Sequence, residues 1–293
     1  MNKKTKSAQF IKKFEHIFQC PICSTSMEII DLKSFVCMNK HTFDIAKQGY
    51  VNVMTYSPST KYDKELFESR KTIIDEGFFE PLHKTMSELI NHGAGLEGKT
   101  LKILDAGCGD GSHLVRINEA ICSSSNAGVI GIGIDIAKEG IMVAAKNYAN
   151  MIWCVADLTH SPFKSNTFDV VLNILSPANY NEFRRLLNGS DIVIKVVPQS
   201  DYLKELRETL LTRRKKQAYS NEKVMKRFEE NFKTIEKLRL RYKKSLTHSF
   251  IRPLIRMTPL SWAATEEKIQ SLFNSNLNEI TIDLEIVVGK IRD

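Results

Sequence analysis

Leu104-Asp105-Ala106-Gly107-Cys108-Gly109-Asp110-Gly111 follows the apolar run Leu101-Lys102-Ile103 and precedes a stretch of helical spacing that begins near Ser112. A buried strand that ends in glycines and opens a helix forms a ligand cradle. Gly107, Gly109 and Gly111 lack a Cβ, so the backbone takes positive φ there and comes close to a bound group. The first N–H groups of the following helix are free to meet that group. The spacing is G-x-G-x-G, not the G-x-G-x-x-G of dinucleotide binders, and Ser112 stands where the third glycine would be. Asp110 lies inside the turn, where a carboxylate repels a pyrophosphate and attracts a cation.

That charge favours S-adenosylmethionine, with its cationic amino group, over NAD. The next strand, Val129-Ile130-Gly131-Ile132-Gly133-Ile134, ends in Asp135 at the distance expected of a ribose-binding acid, whose two oxygens accept from two hydroxyls. A third strand over Met151-Ile152-Trp153-Cys154-Val155-Ala156 delivers Asp157 to an adenine edge. These features resemble a class I methyltransferase with its Rossmann-like sheet. The candidate cofactor contacts from this reading are Gly107, Gly109, Asp110, Asp135 and Asp157.

The chain of 293 residues suffices for one α/β domain and a small accessory module. A formal net charge of +8 suits a polyanionic partner, although solubility alone would also account for it. No run of about 18 apolar residues occurs, and Met1 to Lys13 lacks the apolar core of a signal peptide. A cytoplasmic protein is expected.

Three of the six cysteines cluster. Cys20-Pro21-Ile22-Cys23 is followed by Cys37 and His41, a C-x2-C-x13-C-x3-H pattern. Two short ligand pairs separated by a loop match a structural zinc site that has no open position for catalysis. A redox Cys-x-x-Cys would not need Cys37 and His41 at matching spacing. Cys108, Cys122 and Cys154 fall at core-facing or turn positions and read as small hydrophobes. The expected fold is therefore α/β, a class I S-adenosylmethionine-dependent methyltransferase (Rossmann-like) domain with a small N-terminal zinc-binding module.

Beyond the module, His41-Thr42-Phe43-Asp44, Lys47-Gln48-Gly49-Tyr50-Val51-Asn52, Asp75 with Gly77, Pro81-Leu82 and then Asp105-x-Gly-Cys-Gly occur in one order. Ser176-Pro177, Glu182-Phe183-x-Arg185, Leu203-x-Glu205-Leu206 and Met257-Thr258-Pro259-Leu260-Ser261-Trp262 follow. That order resembles the 23S rRNA guanine-N1 methyltransferases of the RlmA family over almost the whole chain. The resemblance implies zinc on Cys20, Cys23, Cys37 and His41, and cofactor contacts on Phe79, Gly109, Asp110 and Tyr202. Tyrosine at 202 stands where the family pattern carries histidine. The resemblance also implies a homodimer, an rRNA hairpin as substrate, and in some members an effect on macrolide-type antibiotic sensitivity.

Three parts are expected: a zinc-binding RNA-recognition module over 1–55, a linker with helices covering the cofactor over 56–98, and the methyltransferase domain over 99–293. Strands over 168–175 and 191–198 extend the sheet, and Leu238 to Tyr242 with Ile280 to Ile291 supply its antiparallel end. Basic residues gather at Arg213-Arg214-Lys215-Lys216, at Lys223, Lys226 and Arg227, from Lys233 to Lys244, and at Arg252 and Arg256, interleaved with Tyr219, Tyr242 and Phe250. With the zinc module they would grip a hairpin whose guanine is flipped out.

Guanine N1 carries a proton at neutral pH that must leave before or during attack. No histidine or carboxylate stands in a motif position for that task; Ser176 and Asn179 would orient the guanine edge. Two other classes stay open, a small-molecule methyltransferase and a non-catalytic zinc-containing RNA binder.

Overall fold

Strands covered on both faces form the centre of one sheet of this protein, and strands buried on one face form the other. The computed structural model describes residues 1–58, 60–93, 100–125, 128–211, 220–275 and 277–292. Helix α1 (Lys3–Lys12) is capped by Asn2, whose side chain accepts from the Thr5 N–H. Strands β1 (Met27–Ile30), β2 (Ser34–Cys37) and β3 (Thr42–Asp44) then form an antiparallel three-stranded sheet. Met27, Ile29, Phe35 and Cys37 of β1 and β2 face inward.

A short β4 (Val51–Asn52) leads to α2 (Lys64–Asp75) and α3 (Glu80–Gly93). There follow β5 (Leu101–Ala106), α4 (Ser112–Ser124), β6 (Val129–Asp135), α5 (Lys138–Asn147), β7 (Ile152–Val155), β8 (Phe168–Ile174), α6 (Tyr180–Leu186) and β9 (Leu187–Pro198). The chain closes with α7 (Lys204–Leu210), α8 (Glu222–Asn231), β10 (Phe232–Ser245), α9 (His248–Arg256), α10 (Glu266–Phe273) and β11 (Glu279–Ile291).

The eight-stranded sheet has the order β10-β11-β9-β8-β5-β6-β7-β4. β4 through β9 run parallel, and β11 is antiparallel to both β9 and β10. Every residue of β7 and β8 is buried, as parallel strands covered on both faces must be. Strand order reverses between β5 and β8, so the crevice at their carboxyl ends is where an open α/β sheet takes its ligand.

One face of the sheet packs Ile103, Leu172, Ile194 and Ile286 against Leu82 and Met86 of α3, Leu114 and Ile117 of α4, and Leu254 of α9. The other face packs Leu104, Ile132, Val171 and Val193 against Phe183 of α6, Phe228 of α8, and Ile17, Phe18 and Phe35 of the N-terminal region. Phe18 joins the two parts: its ring lies 4.7 Å from Phe35 and 5.0 Å from Phe163. β4 adds itself to β7, pairing Val51 with Cys154, and so covers an otherwise open edge. Cys108 and Cys154 are core residues as expected, but Cys122 is exposed on α4 and is not part of the core. Among the described residues no helix is long and apolar enough to cross a membrane.

Gly133 of β6 exists for Trp153. A Cβ there would meet the fully buried indole ring at 2.4 Å and Cys108 Sγ at 2.8 Å, whereas a Cβ on Gly189 would meet nothing within 4 Å. Gly133→Ala should therefore cost about 1–3 kcal/mol in denaturant unfolding, and Gly189→Ala should change little. Equal stabilities for the two variants would refute this account of the sheet.

α3 and α4 meet through His83 Nε2 and His113 Nδ1, 2.9 Å apart. Burial draws His83 down to about 3 and His113 well below its ordinary value. Both are neutral in the folded chain and charge in the unfolded one below about pH 6.5. The unfolded state binds more protons below that pH, so the pair's stability is full above it and is lost as pH falls toward 3. His83→Gln should lose less melting temperature between neutral and acidic pH than the parent; an unchanged acid limb would contradict the assignment.

Candidate functional site

The turn after β5 takes positive φ at each of its three glycines: 84° at Gly107, 56° at Gly109 and 76° at Gly111. It approaches the loop after β8 so closely that a Cβ on Gly107 would lie 1.9 Å from Ser176 Oγ. At this junction of β5 and β8 a cavity of about 610 Å³ opens, within the size range of small-molecule sites.

Gly107, Asp135, Asp157, Phe79 and Tyr202, five of the residues expected to contact a cofactor, line this cavity. Asp135 accepts from the Gly109 N–H at 2.8 Å through Oδ2 and from the Ala137 N–H at 2.7 Å through Oδ1, which fixes the carboxylate and leaves a lone pair on each oxygen. Asp157 accepts from the Thr159 N–H at 2.7 Å and from the Tyr56 hydroxyl at 2.6 Å. Phe79 stands edge-on to His113 at 5.1 Å. Gly109 and Asp110 are not in the wall itself; Asp110 lies buried beneath the turn, bonded by the Ser112 hydroxyl, and burial raises its carboxyl to about 6.

The wall also carries Asp105, Arg70, His113 and Lys195, to which the sequence alone assigns no role. Asp105 Oδ1 is buried with no hydrogen-bond partner. Burial first, and then the charges of Asp135 and Asp110, push its carboxyl up to about 8. A carboxyl group that lines a cavity and has an unpartnered oxygen suits a cationic ligand group, so the residues present fit an amino-acid ammonium beside a ribose. Arg70 donates to the Met257 carbonyl at 3.2 Å and lies 5.5 Å over the Phe67 ring, which puts a cation in the cavity wall. The signal for Lys195 was in the sequence, as one cation inside the apolar run Ile192 to Val197. It is 3% exposed and donates to Asn173 Oδ1 and to the Ser176 carbonyl at 2.6 Å.

A second site lies in the N-terminal region. Cys20, Cys23, Cys37 and His41 bring their ligand atoms within 4.8 Å of one another. His41 Nδ1 is 3.4 Å from Cys20 Sγ and 3.5 Å from Cys37 Sγ, and Cys23 and Cys37 Sγ are 3.7 Å apart. A tetrahedron with zinc bonds of about 2.0–2.3 Å has edges of about 3.5–3.8 Å, so the four groups are arranged for that ion. The Thr25 hydroxyl, 3.2 Å from Cys23 Sγ, and the Thr25 backbone hold that thiol down to about 5, toward the thiolate that zinc requires. Beyond the ligands, Ile22 and Met38 project from the two knuckles, 53% and 84% exposed.

The basic surface expected of the C-terminal part is changed by its partners. Arg213 to Lys216 and Tyr219 lie outside the described residues. On β10, Lys237 pairs with Glu285, Arg239 with Asp283, Arg241 with Asp201 and Lys243 with Glu279. Much of this strand's charge is thus neutralised within the fold.

Residues 18–56 match the family model described as "RlmA, N-terminal", and residues 97–251, just over half the chain, match a "Methyltransferase domain" model. YxjB of Bacillus subtilis (strain 168), provisionally named a 23S rRNA (guanine-N(1)-)-methyltransferase, is 45% identical over 93% of this chain and 96% of its own. The 23S rRNA (guanine(748)-N(1))-methyltransferase of Streptomyces fradiae is 26% identical over 94% of this chain and 98% of its own. With the zinc-ligand cluster and the switch-point cavity in one polypeptide, the chain belongs to the RlmA-type family of 23S rRNA guanine-N1 methyltransferases.

Proposed function

We propose that this protein transfers the methyl group of S-adenosylmethionine to N1 of a guanine in a hairpin of 23S ribosomal RNA. The observation that carries the reading is the wall of the switch-point cavity, lined by both Asp105, which keeps a buried oxygen without a partner, and the fixed Asp135 carboxylate. Asp135 would accept from the ribose hydroxyls, Asp157 would meet the adenine edge once the Tyr56 hydroxyl gives way, and Gly107 and Gly109 would let the backbone close on the methionine part. Asp105 would receive the ammonium, with Asp110 supporting the turn from beneath. Phe79 and Tyr202 would exclude water. When bound, the cofactor supplies a methyl group already activated on a sulfonium sulfur.

Within this reading, residues 1–55 form the RNA-recognition module, with zinc on Cys20, Cys23, Cys37 and His41 and with Ile22 and Met38 as apolar tips. Residues 56–98 cover the cofactor, and residues 99–293 carry the chemistry. An rRNA substrate would put the work in the cytoplasm, and a homodimer would present two such modules to the RNA.

Calorimetry should show binding of S-adenosylmethionine, and Asp135→Asn should weaken it about 10- to 100-fold, the worth of a charged hydrogen bond. Primer extension on ribosomal RNA from cells with the gene should stop beside one guanine and read through in cells without it, because an N1 methyl blocks pairing. Read-through in both, with methylation of a free metabolite instead, would establish the small-molecule alternative. Cys37→Ser should abolish stoichiometric zinc and lower RNA affinity at least tenfold while leaving S-adenosylmethionine binding in place. RNA affinity that survives zinc loss would remove the module's assigned role.

A further inference from the structure

The reaction requires a proton to leave guanine N1, and the expected acids and histidines do not supply an acceptor. Asp135 and Asp157 are engaged by N–H and hydroxyl donors, and His83 and His113 are bonded to each other. Resting on the methyl-transfer reading above, we infer that the side-chain amine of Lys195 accepts the N1 proton of the target guanine.

Lys195 sits on β9 directly beside Asn173 of β8 in the parallel register. Its Nζ donates to Asn173 Oδ1 and to the Ser176 carbonyl. Asn173 is locked in turn, because its Nδ2 donates to the Ala106 carbonyl at 2.7 Å and the Pro177 carbonyl at 2.9 Å. A tetrahedral nitrogen with Cε and two committed N–H bonds has one position remaining, a lone pair in the amine or an N–H in the ammonium. Lys195 lines the cavity together with Ser176, Pro177 and Asp105, on the loop side of the crevice.

The surroundings keep the amine accessible. Among the described residues no carboxylate pairs with Lys195, and burial lowers it to about 8. The charged groups on neighbouring elements are committed elsewhere. On β11, Asp283 is held by Arg239, and Glu285 by Asn221 of the α8 N-cap and by Lys237. Asp105 of β5 opens into the cavity from the opposite face of the sheet, the Tyr180 phenol lies on α6, and α8 presents Val224 to the cavity. A buried, unpaired cation is costly, and a methionine would fill the same space without that cost. A neutral amine poised near physiological pH is the form in which this placement is useful. In the step itself the N1–H bond breaks, its electron pair stays on N1, and the proton passes to the Nζ lone pair to give the ammonium. The pair left on N1 would form the bond to the methyl carbon as the carbon–sulfur bond breaks and its electron pair goes to sulfur, which leaves as a neutral thioether, and the ammonium returns its proton to solvent after the RNA leaves.

Lys195→Arg separates this role from mere support of the Ser176-Pro177 turn, since a guanidinium keeps the N–H donors and stays protonated; Lys195→Met removes both. Single-turnover methylation of a 23S rRNA fragment by the zinc-loaded full chain should rise with pH in the parent and level off near pH 8. Both variants should be about 10²–10⁴-fold slower at neutral pH, and their rates should keep rising above pH 8 as the guanine itself ionises. Affinities for S-adenosylmethionine and for RNA should stay within about twofold of the parent, and carbon-13 resonances of labelled lysine should show one group titrating near 8 that Lys195→Arg removes. A Lys195→Arg rate within a few-fold of the parent, an unchanged pH profile in Lys195→Met, or a Lys195 titration at the ordinary lysine value would each overturn the inference while the methyl-transfer reading stood. A parent protein that leaves the RNA unmethylated would overturn that reading and the inference with it.

Discussion

The separation between the turn after β5 and the loop after β8 is the constraint on which the rest of the molecule depends. Backbone and hydroxyl are so close there that no side chain fits at position 107. Because Gly107 yields that space, Ser176 and Pro177 fold over the end of β5, and Asn173 can bond the carbonyls of both Ala106 and Pro177. The cavity wall is then one connected hydrogen-bonded unit, with Lys195 tied to it through Asn173 and Ser176. A site held this way needs little rearrangement when it meets a ligand, which is what positioning an acceptor nitrogen against a methyl carbon demands.

The zinc-ligand region is joined to this frame by packing as well as by sequence. Phe18, next to the first knuckle, packs between Phe35 of the small sheet and Phe163 of the segment joining β7 to β8, and β4 pairs with β7 just before the polypeptide reaches the Tyr56 hydroxyl bonded to Asp157. An apolar contact and a strand pairing are both stiff connections. The orientation of the metal-bearing end is therefore transmitted to the edge of the cofactor cavity, and an RNA held by the knuckles would be presented to the site at a fixed angle.

Much of this was legible in the sequence, for identifiable reasons. Parallel strands covered on both faces must be continuous apolar runs, so β5, β6, β8 and β9 stood out, and metal ligands must recur at short spacings, so the four zinc positions did too. The fate of the basic residues on β10 was hidden, because it is set by register. Lys237, Arg239 and Lys243 each bond an acid two residues along from the one directly opposite on β11, a diagonal contact visible only once the strands are aligned. Asp105 was hidden differently: its motif was plain, but an acid at a strand end serves equally as a helix cap or a backbone brace. Only the orphaned oxygen tells these apart.

The arrangement of charge in the cavity accounts for its choice of ligand. Asp105, Asp110 and Asp135 are close enough that the charges of the other two help hold Asp105 up at about 8, so near neutral pH Asp105 is largely protonated on its own. A cation placed beside this carboxyl reverses that balance and makes the carboxylate the favoured form. A second anion, such as a pyrophosphate, would add to the repulsion and raise the group further. Lys195, at the opposite wall, has no carboxylate partner among the described residues, and burial lowers it to about 8. One cavity thus offers an acid that ionises when a cation arrives and an amine that is free to take a proton, the two properties that transfer of a methyl group from a sulfonium donor to a protonated ring nitrogen requires.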